Sequence, residues 1–429
     1  MRQVNIGIIG LGTIGKGVYD AIVKNGGIIK ERSDVSICIK AVCDKDKKAL
    51  KEIDMIDGLI KTDSADEVLN NKEIDIIVEL IGGIEPAKKI ILQAIGSKKH
   101  VVTANKALLS TEWKDIFKAA SENHVSVKFE ASVGGAIPII RTLNMSFVAD
   151  NIRTIYGILN GTTNFILTEM SENGCSFKEA LKVAQGKGIA ESDPELDISG
   201  ADSAHKLAIL ALLGFGMDVS AEDVYVEGID KIGSEDIKNA ESWGYNIKLL
   251  AIVKNTPEGL ELRVHPTLIR SSRLLSGVRG ADNAIFIRGD LIGESLLFGK
   301  GAGQKPTSIS VIADIVEIAG GIGCKEKFNI TNRRMKEKKV RRIEELVIPY
   351  YLRFSVIDKP GVLAGISSVL AKNNISIANV SQEERNEGET VPVVILTHKA
   401  KEGDMKKAIS EINALEYISC ETVVIRIEE

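Results

Sequence analysis

The stretch VNIGIIGLGTIGKGVYDAIV, Val4–Val23, decides the fold. Its first part, Val4–Ile9, is rich in isoleucine and predicts a buried parallel strand. Gly10-Leu11-Gly12-Thr13-Ile14-Gly15 follows at once, and apolar periodicity predicts a helix from Lys16 to Val23. A G-x-G-x-x-G turn between a strand and a helix lets a dinucleotide pyrophosphate approach the helix start. There, free N–H groups and the helix dipole favour an anion. Gly10, Gly12, Thr13, Ile14 and Gly15 are the candidate cofactor contacts, with a mere tight turn as the plainer alternative. The second strand, Val35–Cys43, ends at Asp44, an acid placed to take a ribose 2′-hydroxyl and so to favour NAD. Lys45, Lys47 and Lys48 follow and could offset a 2′-phosphate, so NAD and NADP both remain open.

Working outward, Ile74–Leu80 reads as a third buried strand ending in Ile81-Gly82-Gly83, at the sheet edge where ligands bind. A helix is expected from Pro86 to Ser97, and His100–Thr103 is a further short strand, closed by Ala104-Asn105-Lys106. Lys106 leaves the carboxyl edge of the sheet and faces the cleft. A helix is expected over Thr111–Asn123, and the segment Val125–Glu130 completes this domain or bridges to the second. The loop Glu130–Pro138, EASVGGAIP, offers one carboxylate and several main-chain carbonyls, an oxygen shell suited to a hard cation; a plain turn is the alternative. A helix Ile139–Val148 and a strand Ile152–Leu159 lead to Asn160-Gly-Thr-Thr-Asn164. That polar turn reads as a pocket wall, or as the N-cap of a helix over Phe165–Met170, or both.

Gly186–Leu213, GKGIAESDPELDISGADSAHKLAILALL, is an acid-rich loop running into an apolar helix from about Ala201. Glu191, Asp193, Glu195 and Asp197 lie in the loop, and Asp202 and Lys206 share one face of the helix start. A surface ion pair is the ordinary meaning of such a pair. On a nearly all-apolar helix the lysine is instead half-buried, where its proton becomes transferable. Hydride delivered to a carbonyl carbon puts negative charge on oxygen, which a nearby ammonium stabilises and protonates. His205 points about 100° away from Lys206 around the helix and reads as a packing or supporting residue.

Strands are expected at Asp223–Gly228, Leu249–Lys254, Leu260–Val264 and Ala284–Gly289, in a mixed or antiparallel sheet. The glycine-rich Gly299–Gly303 opens a helix from about Pro306 to Ile318 that could return the chain to the cofactor. Lys325–Glu345 is strongly basic without apolar period and reads as a solvated linker. From Tyr350 onward the pattern is βαββαβ, a ferredoxin-like module expected to stand alone.

The totals bound the reading. A chain of 429 residues, 44% hydrophobic and 27% charged with net charge −4, holds two or three domains and has no basic excess to suggest nucleic acid. No apolar run reaches the ~18–20 residues of a membrane span. Cys38, Cys43, Cys175, Cys324 and Cys420 are scattered with no CxxC spacing, which predicts reduced thiols, no zinc site and a cytoplasmic protein.

Together these motifs resemble homoserine dehydrogenase over the full length, with a C-terminal ACT domain. The resemblance rests on Gly10–Gly15, Thr103-Ala-Asn-Lys106, Glu130–Pro138, Asn160–Asn164 and above all Gly188–Lys206; Asp358-Lys-Pro-Gly-Val-Leu363 is similar to the start of many ACT domains. It implies an α/β protein in four parts. A Rossmann NAD(P)-binding domain takes residues 1–129. An α+β catalytic and oligomerisation domain takes 130–320, its helix 304–320 returning to the Rossmann domain. A basic linker (321–348) and a ferredoxin-like ACT regulatory domain (349–429) follow. The implied activity is reversible NAD- or NADP-dependent interconversion of L-homoserine and L-aspartate 4-semialdehyde, on the route to threonine and methionine.

Carried over by position, Lys206 is the proton donor and Lys106 a second cleft lysine that also meets the cofactor. Asp202 belongs to both the catalytic and the substrate-binding set, with Glu191, Asp197 and Thr162. Gly188 and Gly303 join Asp44 and Gly82 at the cofactor. Glu130, Val133, Gly135 and Ile137 hold a structural sodium or potassium ion. Threonine is the expected effector, bound near Asp358, Gly361 and Asn379 and coupled to the core by the linker, so that deletion beyond about residue 345 would spare turnover. The assembly is expected to be a homodimer or homotetramer. The competing readings are an amino-acid dehydrogenase acting on C–N bonds, like aspartate dehydrogenase, and a non-catalytic amino-acid sensor.

Overall fold

A computed structural model describes residues 2–322, 339–382 and 389–428. The core of the basic linker therefore lies outside the described residues. In chain order the first elements are β1 (Arg2–Ile9), α1 (Thr13–Ser33), β2 (Val35–Cys43), α2 (Lys47–Glu52), β3 (Ile60–Thr62), α3 (Ala65–Asn70), β4 (Ile76–Glu79), α4 (Glu85–Gly96), β5 (His100–Thr103), α5 (Lys106–Glu122) and β6 (Val127–Lys128). Then come α6 (Ile139–Arg141), β7 (Ile152–Ile158), α7 (Gly161–Asn173), α8 (Phe177–Gly186), α9 (Glu195–Ile198), α10 (Ala201–Phe215), β8 (Tyr225–Val226), α11 (Ser234–Ser242), β9 (Tyr245–Thr256), β10 (Gly259–Arg270), β11 (Asp282–Gly289), β12 (Gly293–Lys300) and α12 (Gln304–Gly321). The chain closes with β13 (Val347–Ile348), β14 (Tyr350–Ile357), α13 (Val362–Lys372), β15 (Ile377–Ser381), β16 (Thr390–Thr397), β17 (Ala400–Lys401), α14 (Glu402–Asn413) and β18 (Val423–Glu428).

The chain forms two compact units. Among the described residues the first comprises 2–152, 205–221 and 289–322; the second 153–204, 222–288, 339–382 and 389–428. In the first unit a parallel sheet runs β3-β2-β1-β4-β5-β6. This is the doubly wound order of a dinucleotide-binding fold, with its topological switch between β1 and β4. Its core is aliphatic: Val4, Ile6, Ile8, Ile76 and Val78 from the strands pack with Val18 of α1 and Val311 and Ile315 of α12. A Cβ at Gly17 would fall 2.5 Å from atoms of Gln304 and Ser308, so α1 and α12 meet at that glycine.

Several boundaries differ from the sequence reading for local reasons. The first helix does not stop at Val23 but runs through Gly26 and Gly27, which face open space, to Ser33. A glycine inside a helix costs only about 0.5–1 kcal/mol, so two do not break it. The fifth helix begins at Lys106 rather than Thr111, because the Asn105 side chain accepts the Leu108 N–H and caps it there. The expected helix over Ile139–Val148 is a short α segment followed by a π turn, Thr142–Ser146. Helix α8 went unread although Ser176 and Glu179 form a capping box. Helix α11 and strand β12 were likewise missed.

The second unit is built on one sheet whose path includes β11-β7-β9-β10-β18-β14-β16-β15, with β8 also on β10. The C-terminal βαββαβ module has its own core, with Tyr350, Leu352, Phe354, Ile366, Leu370, Val393, Met405 and Ile412. It does not stand alone, however. The outer edge of β18 pairs in parallel with β10, Thr267 against Arg426 and Ile269 against Glu428. Buried charges fix that seam. The Arg263 guanidinium, fully buried, donates to Glu428 at 2.8 and 2.5 Å and to Glu261 at 3.1 Å. Glu428 also accepts from Tyr156 and Lys254. Arg426 donates to Glu402 of the module and to Glu227 and Tyr225 beside β10. Tyr351 and Arg353 of β14 reach the buried Asp236 of α11. Within the module Arg426 would keep Glu402, but Glu428 would lose Arg263, Lys254 and Tyr156, and Tyr351 and Arg353 would lose Asp236.

This seam changes the expected effect of removing the module. Deletion beyond residue 345 strips β10 of a neighbour and leaves Arg263 buried without Glu428, so it should destabilise the second unit, measured as a lower Tm, and not simply yield an unregulated enzyme. A milder test is Glu428→Gln. Burial alone would raise the Glu428 pKa, but the Arg263 and Lys254 cations outweigh it and hold the carboxyl below its usual range. Its stabilisation is therefore present above the unfolded pKa of about 4.3 and is lost as pH falls through the lower folded value. Urea unfolding at pH 7 should show a loss of about 3 kcal/mol for the variant, and the gap to wild type should narrow in acid.

Candidate active site

At the carboxyl edge of the first sheet the glycine turn is held by contact. A Cβ at Gly15 would lie 1.9 Å from the Gly10 carbonyl oxygen, and one at Gly10 would lie 2.7 Å from the Leu80 backbone. Gly10 has φ +99°, a conformation costly for other residues. Gly12 is the N-cap of α1 with no side-chain cap, and no acid lies in the first turn. The helix start is thus a cradle of backbone N–H groups open to an anionic pyrophosphate, and the residues fit a dinucleotide. Asp44 is tied into this cradle: its Oδ2 accepts the Leu11 N–H at 2.5 Å and its Oδ1 the Asp46 N–H at 2.8 Å. Lys47 pairs with Asp63 at 3.7 Å.

A residue that sequence reasoning missed joins the next two loops. Glu79, fully buried at the end of β4, accepts the Thr103 hydroxyl at 2.6 Å and the Ile81 N–H at 2.9 Å. Burial pushes its carboxyl pKa up, against those hydrogen bonds. Asn105 then donates to the Gly83 carbonyl at 2.6 Å. The turn bearing Gly82 (φ +70°) and the loop bearing Lys106 are therefore fixed together. The signal was present as the one charge in the apolar run Ile76–Leu80.

Lys106 is half-buried as the first residue of α5, and Lys206 is 8% exposed on α10. His205 is the link between the two helices: its Nδ1 lies 2.7 Å from the Ser110 hydroxyl of α5. Gly303, with φ +111°, is the N-cap of α12, and the strand before it closes on the Glu130 loop through Ala136 N–H to the Lys300 carbonyl, 3.0 Å. In that loop the Glu130 carboxylate accepts the Ile140 and Arg141 N–H groups at 2.8 Å each, so it caps α6. The Glu130 N–H donates to the buried Asp314 at 2.8 Å. Ser310 donates to the Gly135 carbonyl at 2.6 Å. Burial, and for Asp314 also the Glu130 charge, push both carboxyls above their usual range.

The second unit carries the acids. Asn160, the N-cap of α7, donates to Asp197 at 2.7 Å and to Asp202 at 2.9 Å, while its own Oδ1 accepts the Thr163 N–H. Thr162 donates its hydroxyl to the Ile189 carbonyl at 3.1 Å, beside Gly188 (φ +69°). Glu191 is exposed in the loop between them. At the far end of the turn, Lys248 donates to Asn164 at 3.0 Å, and burial lowers its pKa to about 8. The structure thus gathers Thr162, Gly188, Asp197 and Asp202 in the second unit. In the first it gathers the glycine turn, Asp44, Gly82 and Lys106. In the C-terminal module, Gly361 (φ +92°) caps α13 and Asn379 lies exposed on β15.

The doubly wound dinucleotide fold of the first unit points to the class of nicotinamide-dependent oxidoreductases, here in a chain that also carries a ferredoxin-like module. Family descriptions match in chain order: "Homoserine dehydrogenase, NAD binding domain" over residues 10–130, "Homoserine dehydrogenase" over 138–316 and "ACT domain" over 350–417. The chain is 41% identical to homoserine dehydrogenase of Neisseria gonorrhoeae, covering 100% of this chain and 99% of that protein. It is 36% identical to the Bacillus subtilis enzyme, covering 97% and 96%. The crystal structure of homoserine dehydrogenase from Thiobacillus denitrificans superimposes with TM-score 0.93 at 39% identity, covering 100% and 99%. A hyperthermophilic archaeal homoserine dehydrogenase mutant in complex with NADPH matches with TM-score 0.63 at 27% identity, over 76% of this chain and 100% of that one.

The chain belongs to the homoserine dehydrogenase family. It is an NAD(P)-dependent oxidoreductase acting on L-homoserine and L-aspartate 4-semialdehyde, with an ACT domain that supports regulation by an amino acid. The readings as a C–N dehydrogenase or a non-catalytic sensor are set aside on that ground. Among the described residues, no helix is long and apolar enough to cross a membrane.

The buried acids of the first unit give a pH test. Because folding raises the Asp314 pKa, the native state is favoured with this group protonated, and stability falls as pH rises from the unfolded value near 3.9 toward the folded one. Asp314→Asn keeps an acceptor for the Glu130 N–H and removes the charge. In sodium-free buffer at pH 8 the variant should gain about 1 kcal/mol, with a flatter dependence of Tm on pH than wild type.

Proposed function

We propose that Lys206 is the proton donor to the aldehyde oxygen of aspartate semialdehyde, and the acceptor in the reverse direction, with Lys106 as a second cation of the cleft. The observation that carries this reading is the placement of Lys206, 8% exposed on a helix that is apolar throughout the residues after it. The bound nicotinamide supplies the hydride. The ammonium stabilises the charge that hydride addition develops on oxygen. Glu191, Asp197 and Asp202, with Thr162, hold the amino-acid end of the substrate, because an α-ammonium requires carboxylates. Gly10, Gly12, Thr13, Ile14, Gly15, Asp44, Gly82, Gly188 and Gly303, with Lys106, form the cofactor site. The functional division is 1–129 for cofactor, 130–320 for catalysis and assembly, and 349–429 for regulation, in a cytoplasmic homodimer or homotetramer.

Glu130, Val133, Gly135 and Ile137 hold a structural sodium or potassium ion, chiefly through main-chain oxygens, since the Glu130 carboxylate already accepts two N–H groups. The buried charge on Glu130 beside Asp314 supports a cation there. Threonine is the proposed effector of the ACT domain, near Asp358, Gly361 and Asn379. The continuous pairing of β18 with β10 supports transmission through the sheet as well as through the linker.

Homoserine oxidation followed as reduced cofactor appears, with NAD and NADP in parallel wells and threonine in half of them, tests these roles together. Lys206→Ala should lower kcat by about 10²–10⁴-fold while NADPH still binds. Wild-type turnover in that variant would remove Lys206 from the proton-donor role, and unchanged rates with threonine would remove threonine from the ACT site.

A further inference from the structure

Asn160 uses every hydrogen-bonding group of its side chain. It is 4% exposed. Its carbonyl oxygen accepts the Thr163 N–H at 2.9 Å and the Thr163 hydroxyl at 3.1 Å, which starts α7. Its single NH₂ group donates to Asp197 Oδ1 at 2.7 Å and to Asp202 Oδ2 at 2.9 Å. An NH₂ has two protons, and both are spent on carboxylates from separate elements: Asp197 on α9 and Asp202 on α10. Two like charges gathered on one side chain repel each other unless a donor lies between them. Only an amide can cap a helix with one end and bridge two carboxylates with the other.

We infer that Asn160 is a positioning residue for the reaction, holding Asp197 and Asp202 side by side in the orientation that receives the substrate ammonium. This rests on the proposed role of Asp202 in substrate binding. The bridge fixes the lateral placement of both acids to the rigid N-terminus of α7, a helix whose next side chain, Thr162, is tied to the Ile189 carbonyl on the loop between the acids and Gly188. Helix start, loop and acids therefore move as one body, and the amide sets the spacing.

The capping and bridging roles separate cleanly by substitution. Asp and Ser cap helices about as well as Asn, but neither supplies the NH₂ bridge. Asn160→Ser leaves the two carboxylates unbridged, and Asn160→Asp puts a third carboxylate between them. The full-length enzyme and the variants N160D, N160S and D202N are compared by steady-state homoserine oxidation, NADPH titration and thermal unfolding. Both Asn160 variants should lose at least tenfold in kcat/KM for homoserine with NADPH affinity unchanged. N160D should be the weaker near neutral pH and recover part of the loss in mildly acid buffer, as one of the three carboxylates takes a proton. N160S should show no such recovery.

Wild-type kcat/KM in N160D and N160S, with D202N impaired, would overturn the inference and leave Asn160 a helix cap only. A wild-type D202N would remove Asp202 from the substrate site and the inference with it. If N160D does not fold, the N160S kinetics decide alone, since Ser retains the cap.

Discussion

The glycine turn after the first strand is the constraint on which the cofactor side of this enzyme depends. Gly15 lies over the Gly10 carbonyl so closely that a methyl group would sit inside it, and Gly10 is pressed against Leu80 of the neighbouring strand. That contact brings the bare N-terminus of α1 to the switch point between β1 and β4. Asp44 is tied to that turn through the Leu11 N–H, and beside it Glu79 ties the turn of Gly82 to the loop of Lys106. A larger residue at Gly15 would separate the helix start from the sheet and misplace the phosphate cradle.

The chemistry is divided by charge. Lys106 and Lys206 sit on helices α5 and α10, and Ser110 and His205 join those two helices in the first unit. Asp197 and Asp202 sit in the second unit under the one amide of Asn160. The second unit also contains the regulatory module as an extension of its own sheet, sealed by Arg263–Glu428 and Arg426–Glu227. In a low-dielectric seam such pairs are costly to break.

Much of this was legible in the sequence because it is local. The strand–glycine–helix pattern, the βαββαβ order and the Asp202–Lys206 spacing each reside within a few turns of chain, where periodicity and motif suffice. What escaped was set by distant partners. Asn160 reads as an N-cap from its neighbours; nothing local says that Asp197 and Asp202 complete its valence. Glu79 is one charge in an apolar strand until Thr103 comes beside it. The module seemed independent because the ferredoxin-like pattern is self-sufficient, while the pairing of β18 with β10 depends on residues more than a hundred positions apart. Helix ends failed where a side-chain cap, as at Asn105, moved the start, or where exposed glycines did not stop a helix that packing favoured.

The central claim is that the hydride leaves the carbon bearing the homoserine hydroxyl, not the carbon bearing the amino group. L-Homoserine deuterated at C4, oxidised by the enzyme with NAD or NADP and analysed by NMR of the reduced nicotinamide, tests it directly. The account predicts one deuterium per reduced cofactor from the C4-labelled substrate and none from substrate labelled at C2. Transfer from C2, or reduced cofactor free of deuterium from the C4-labelled substrate, would contradict it and point to chemistry at the C–N bond.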